Sequence, residues 1–298
     1  MIRRPLAAAV LGLCGLGAVA CGGTAVSHAA DTGASGVPRS SAASQAAGQH
    51  DAAQDASQDA AKAAPGSARE ASSSAANAKP LAGKVIVIDP GHNGGNFRHP
   101  EVINRQVDIL TQKKACDTTG TSTNDGYSEA AYTWDVSNRL ARLLRAQGAT
   151  VILTRKNNTG AGPCITERAA VGNRAKADAA ISIHADGAPA SAHGFHVIMP
   201  KKIHGPVDRV VGASKRLGVA VRDAFHTGTG IAYSTYIGTK ALNFRSDLGG
   251  LNLSTVPKIF IECGNMRNAG DAARFKNTRF RQRIAVALGR GLEDYLAA

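Results

Sequence analysis

The sequence predicts an α/β fold: a single domain with a largely parallel central sheet flanked by helices on both faces. Two observations predict it. Short apolar runs of strand length (KVIVID at 84–89, AAISIH at 179–184, KIFIE at 258–262) alternate with amphipathic segments of helical period. That alternation is how parallel strands joined by crossover helices read. Composition then confines the fold to residues 81–298. Residues 22–80 hold 20 Ala and 10 Ser in 59 positions, with Val26 and Val37 as the only larger aliphatics and no aromatic. Such a stretch buries too little apolar surface to offset the entropy of ordering it. The remainder is large enough for one sizeable core, and no internal repeat divides it.

Each element has its own signal. Residues 84–89 are an apolar run closed by Pro-Gly, a buried strand. Residues 93–128 are polar and irregular, far longer than the ~12–15 residues of an ordinary connection, which marks a functional or disordered loop. Residues 129–147 carry a helical stripe (Val136, Leu140, Leu143, Leu144) stopped by Gly148. Strand 151–154, helix 166–176 and strand 179–184 follow, then strand 194–199 and helix 208–225. The pattern closes with strand 258–262 and helix 277–296.

Ahead of the domain, residues 1–21 read as an export signal: Arg3 and Arg4, an apolar run, then small residues. Ala18-Val19-Ala20-Cys21 resembles a bacterial lipobox, with Ala18 where Leu is commoner, and predicts lipidation of Cys21. Residues 22–80 then form a disordered tether, with a reach of about 40 Å for a flexible coil of that length. The expected location is the cell envelope, lipid-anchored on the outer face of the cytoplasmic membrane. Cleavage without lipid would leave a secreted protein. Residues 81–298 carry 29 Lys and Arg against 17 Asp and Glu, a balance that attracts polyanions. Export argues against nucleic acid as the partner and permits disulfides. Cys116 and Cys164 lie in polar, Gly/Thr-rich segments, and a bridge between them is predicted. Cys263 follows an apolar strand and is expected to be buried and unpaired.

In open α/β sheets, functional groups collect at the carboxyl ends of strands. Three strands here end in metal-competent residues: Asp89-Pro90-Gly91-His92, His184-Ala185-Asp186 and Glu262-Cys263-Gly264. Glu129 opens the first long helix, where the dipole favours a carboxylate. Two neutral imidazoles and a carboxylate form the ligand set of an open catalytic zinc site. A further carboxylate beside them can shuttle the proton of amide hydrolysis. Taken singly, a strand-end histidine is more often structural, and Glu129 an ordinary helix-start charge. Glu262 after an apolar run needs a partner or a metal.

KVIVIDPGHNGG, SEAAYTWDVSNRLARLLRAQGATVILTR, ERAAVGNRAKADAAISIHADG and VPKIFIECGNMRN occur in that order. Together they resemble zinc-dependent N-acetylmuramoyl-L-alanine amidases of the family-3 type, especially small single-domain actinobacterial forms. The resemblance covers residues 84–295. It implies Zn²⁺ held by His92, Glu129 and His184, with Glu262 as the catalytic carboxylate. It also implies peptidoglycan, or muramyl peptides, as substrate, cut between the lactyl group of N-acetylmuramic acid and L-alanine. The sequence departs from the family at Gly264-Asn265, where Gly-Phe is usual, which makes Asn265 a candidate for stem-peptide specificity. It departs again at 93–128, outside the common core.

Other residues carry weaker expectations. Asp89 either orients a ligand histidine from behind or serves the turn before Pro90. Arg245 is a candidate for a stem-peptide carboxylate. Arg168 and Arg174 read as helix-face ion pairs, and His193, His196 and His204 as surface or structural. Nothing assigns a role to His99. No wall-binding repeat is visible, so affinity is expected from the basic domain itself, as a monomer. A zinc carboxypeptidase acting on stem peptides, or a wall-binding lipoprotein without activity, would fit the same residues.

Overall fold

A computed structural model describes residues 79–298. The signal, Cys21 and the tether up to residue 78 lie outside the described residues. From the N-terminal side, β1 (Val85–Pro90) is followed by a small antiparallel hairpin of β2 (Gln106–Asp108) and β3 (Lys113–Ala115). Then come α1 (Glu129–Ala146), β4 (Thr150–Leu153), α2 (Ile165–Ala175), β5 (Ala179–Asp186) and β6 (His196–Pro200). The chain continues through α3 (Val211–Thr229), β7 (Leu242–Arg245), β8 (Lys258–Asn265), α4 (Ala269–Lys276) and α5 (Thr278–Ala297). Six strands form one sheet in the order β4-β1-β5-β8-β6-β7. β4, β1, β5 and β8 are mutually parallel. β6 pairs antiparallel to β8 and carries β7 parallel to itself at the edge.

Strand period sorts the side chains into two layers. Ile86, Ile88, Ile181, Ile183, Ile259 and Ile261 are fully buried in one cluster with apolar stripes from α1 (Val136, Leu140, Leu144), α3 (Leu217, Val221, Phe225) and α5 (Ile284, Leu288, Leu292). Each such side chain contributes roughly 1.5–3 kcal/mol by leaving water. The opposite face holds a smaller cluster around Val87 and Ala180, covered by Val171 and Ala175 of α2. That thinner cover leaves room on the second face for polar residues of β1, β5 and β8. Helices therefore flank both faces, as predicted.

The long helices start where caps allow. Ser128 accepts from the Ala131 amide ahead of α1, and Asn277 from the Phe280 amide ahead of α5. Three features were not anticipated: the β2–β3 hairpin, β7, and the eight-residue α4. The stretch 93–128 is ordered, containing short helical turns at Asn96–Arg98 and Pro100–Ile103 besides the hairpin. The hairpin is tied to the segment after β7 by Thr111 and Lys114, which donate to the Ser246 and Asp247 carbonyls.

Cys116 and Cys164 meet but are free, buried thiols, so the predicted bridge is not formed in the structure. The two thiols lie close enough to interact, and the Ile165 amide donates to the Cys116 carbonyl at 2.8 Å. Cys263 is buried and also free. Among the described residues, no helix is long and apolar enough to cross a membrane.

Candidate active site

The period that buries Ile181 and Ile183 turns Ser182 and His184 to the opposite face, and on β8 it does the same for Phe260 and Glu262. β5 and β8 are paired in parallel with His184 level with Glu262, so the two side chains stand next to each other. β1 delivers Asp89 to this face and, two residues beyond its end, His92. Glu129, first residue of α1, reaches in from the helix start. Both β5 and β8 run past their predicted ends, so His184 and Glu262 sit within strands rather than at their tips.

His92, Glu129 and His184 converge, each offering a ligand atom within 4.8 Å of the others. Glu129 Oε1 lies 2.9 Å from His184 Nδ1, and its Oε2 lies 3.6 Å from His92 Nε2. The carboxylate also accepts from the Thr121 and Ala185 amides at 3.0 and 3.2 Å. Burial would raise its pKa, but His92 and His184 outweigh burial and bring it down to about 2. Phe260 stacks on the His184 ring at 5.2 Å, and the two imidazoles meet edge to face at 5.0 Å. A Cβ on Gly91 would lie 1.9 Å from His184 Cε1, so only glycine lets β1 pass the ring. Gly120, at φ +74°, packs equally close over Glu129 and His92.

Glu262 completes the group. Its Oε2 is buried and has no hydrogen-bond partner. Burial, with the nearby carboxylates of Glu129 and Asp186, pushes its pKa well above the usual carboxylate range, against the pull of His92 and Arg245. The donor set suits zinc: two imidazole nitrogens and one carboxylate oxygen, an arrangement that leaves positions for water and substrate. A cavity of about 290 Å³ opens beside the set, walled by Ala115, Ile165, Leu248, Gly249 and Phe260.

The structure revises several expectations. Asp89 touches no histidine. It is fully buried and accepts from Thr154 (2.7 Å), Arg168 (2.9 Å), Ser182 (3.0 Å) and Lys258 (3.0 Å). The carboxylate behind His92 is Asp117, 2.7 Å from His92 Nδ1. It comes from the stretch set outside the common core, where no periodicity marks a residue. Arg168 is not a helix-face pair but a buried bridge between Asp89 and Asp117. Arg174 does pair on the helix surface, with Glu167. Asn265 is fully buried and donates to the Pro189 and Ala192 carbonyls while accepting from the Arg267 amide. Its hydrogen bonds are thus made inside the chain. Arg245 is gripped by Asp247 at 2.8 and 2.6 Å. His193 and His204 are exposed. His196 is buried beside Glu262 on the paired strand, and burial brings it down to about 4.

The family model described as N-acetylmuramoyl-L-alanine amidase matches residues 86–294, a span holding the whole triad and Glu262. The chain belongs to this amidase family. It is 42% identical over 228 residues to N-acetylmuramoyl-L-alanine amidase Rv3717 of Mycobacterium tuberculosis, covering 76% of this chain and 92% of that protein. The amidase also resembles the crystal structure of Ami1 from Mycobacterium smegmatis, with a TM-score of 0.68 and 40% identity over 72% of this chain and 98% of that one. Ami1 from Mycobacterium abscessus is equally similar, with a TM-score of 0.68 and 41% identity over 72% of this chain and all of that one. AmiC2 of Nostoc punctiforme shares the fold at 21% identity and a TM-score of 0.55, covering 73% of this chain and 99% of that one.

Proposed function

We propose that the amidase cleaves the bond between the lactyl group of N-acetylmuramic acid and L-alanine in peptidoglycan, with His92, Glu129 and His184 holding zinc and Glu262 carrying the proton. The observation that carries this reading is the buried, unpartnered Glu262 Oε2 beside a His-Glu-His cluster. When bound, zinc would supply an electrophile for the scissile carbonyl and acidity for water. Glu262 takes a proton from the attacking water, the C–N bond breaks, and the same carboxyl returns that proton to the departing alanine nitrogen.

The test is Glu262→Gln, which should retain stoichiometric zinc and lose about 10²–10⁴-fold in rate, the range typical of a lost general acid–base. Mass analysis of digested muropeptides reports the bond cut. Release of the intact stem supports the amidase reading, whereas release of a single terminal residue would make the protein a carboxypeptidase.

Two further readings belong here. Cys21 is the lipid attachment point, supported by Ala18-Val19-Ala20-Cys21; Cys21→Ser should release the protein from membranes. Cys116 and Cys164 are joined in the exported protein, an oxidant of that compartment taking two electrons and the two thiol protons leaving, which free-thiol titration of the exported protein would report.

A further inference from the structure

The stretch 93–128 contributes a buried carboxylate that the proposed reaction does not use. Asp117 Oδ1 lies 2.7 Å from His92 Nδ1 and also accepts the Thr118 amide at 2.8 Å. Its Oδ2 accepts from Arg168 Nη2 at 2.9 Å. The other arm of the guanidinium, Nη1, donates to Asp89 Oδ1 at 2.9 Å, and Arg168 Nε donates to the Pro163 carbonyl at 2.9 Å. Asp89 Oδ2 in turn accepts from Lys258 Nζ at 3.0 Å. Lys258, Asp89, Arg168 and Asp117 are all buried, between 0 and 5% exposed. An unbroken chain of alternating charges therefore crosses the sheet face and ends on a single imidazole nitrogen.

Burying four charges is costly, and as stabilising contacts alone they do no better than apolar side chains of the same size. Their arrangement instead fixes one proton. Neutral imidazole offers one donor and one acceptor. Asp117 Oδ1 already accepts from the Thr118 amide and Oδ2 from the Arg168 guanidinium, so the carboxylate meets Nδ1 as an acceptor. Nδ1 is then the donor of the pair, and Nε2 is left on the side of Glu129. Thr118 Oγ1, 3.2 Å from the same Nδ1, is the longer and weaker contact. An arginine suits the bridge because its planar fork spans two carboxylates that a lysine ammonium would serve one at a time.

We propose that Asp117 is a positioning residue that holds His92 in its Nδ1–H tautomer with Nε2 free to bind metal, and that Arg168 holds Asp117 in place. This rests on the reading of His92, Glu129 and His184 as a metal centre.

The test uses the full chain, stripped of metal, with zinc affinity measured by competition against a chromophoric chelator at neutral pH. Asp117→Ala should weaken zinc binding about 10–100-fold, the usual effect of losing such a partner. Asp117→Asn should weaken it less, because its amide oxygen still accepts from Nδ1. That ranking separates positioning from structure, since both variants leave Arg168 equally short of a counter-charge. Nitrogen-15 NMR of the histidine rings in the wild type supplies a readout independent of any variant's folding, and Nδ1–H is expected for His92. Folded Asn and Ala variants that both bind zinc within about twofold of wild type would overturn the inference, as would a proton on Nε2. A wild type that takes up no zinc overturns the metal-centre reading, and this inference with it.

Discussion

Gly91 shows how narrowly the site is drawn at the scale of single residues. A methyl group there would occupy the space of the His184 ring, so Gly91→Ala should displace that ring. The expected result is zinc affinity lowered by about tenfold or more in a folded protein, read by chelator competition. At this scale the sequence was legible where a residue sits on a regular element. His184 and Glu262 follow from strand period, and Glu129 from a helix start. Asp117 was illegible because an aspartate in an irregular stretch has no position until the stretch folds. Arg168 was misread because helical period says which face it occupies and not what it meets there. Asn265 illustrates the converse: its departure from the family pattern suggested specificity, and the structure places its amide inside a loop.

At the scale of elements, β1, α2 and β8 are joined by a charge cluster beside a small apolar one. Burial would raise the Asp89 carboxyl, but Lys258 and Arg168 outweigh it and hold it well below the usual carboxylate range. A carboxyl depressed on folding stabilises the fold fully above its unfolded value of 3.8, and that contribution is lost as pH falls below it. Thermal unfolding monitored by circular dichroism should therefore show a steep loss of stability below about pH 4. Asp89→Asn should flatten that acid limb and cost about 3–5 kcal/mol at neutral pH, because Lys258 and Arg168 are left short of a counter-charge. Denaturant titration at the two pH values checks both. Elements with long periodic signals were legible to within a few residues. β2, β3 and β7 are three or four residues long and were not, since so short a strand is defined by its partner more than by its own sequence.

For the whole molecule, the excess of basic residues in 81–298 gives peptidoglycan and other anionic wall polymers a long-range attraction. If that attraction carries wall affinity, binding to purified sacculi should weaken progressively towards 1 M salt, where the screening length is about 3 Å. Salt-insensitive retention in a pelleting assay would reject it. The α/β architecture was legible because alternation of strands and helices survives every local ambiguity. The reversal of β6 and β7 was not, because strand direction depends on how connections cross the sheet.

The place of β8 in that sheet also governs how the fold closes. β8 lies between β5 and β6, yet it is the last strand in the chain, and it carries Glu262. A chain cut before residue 258 therefore lacks Glu262 and leaves β5 and β6 without the strand that joins them. The sheet is one continuous surface only with residues 258–265 seated between the two.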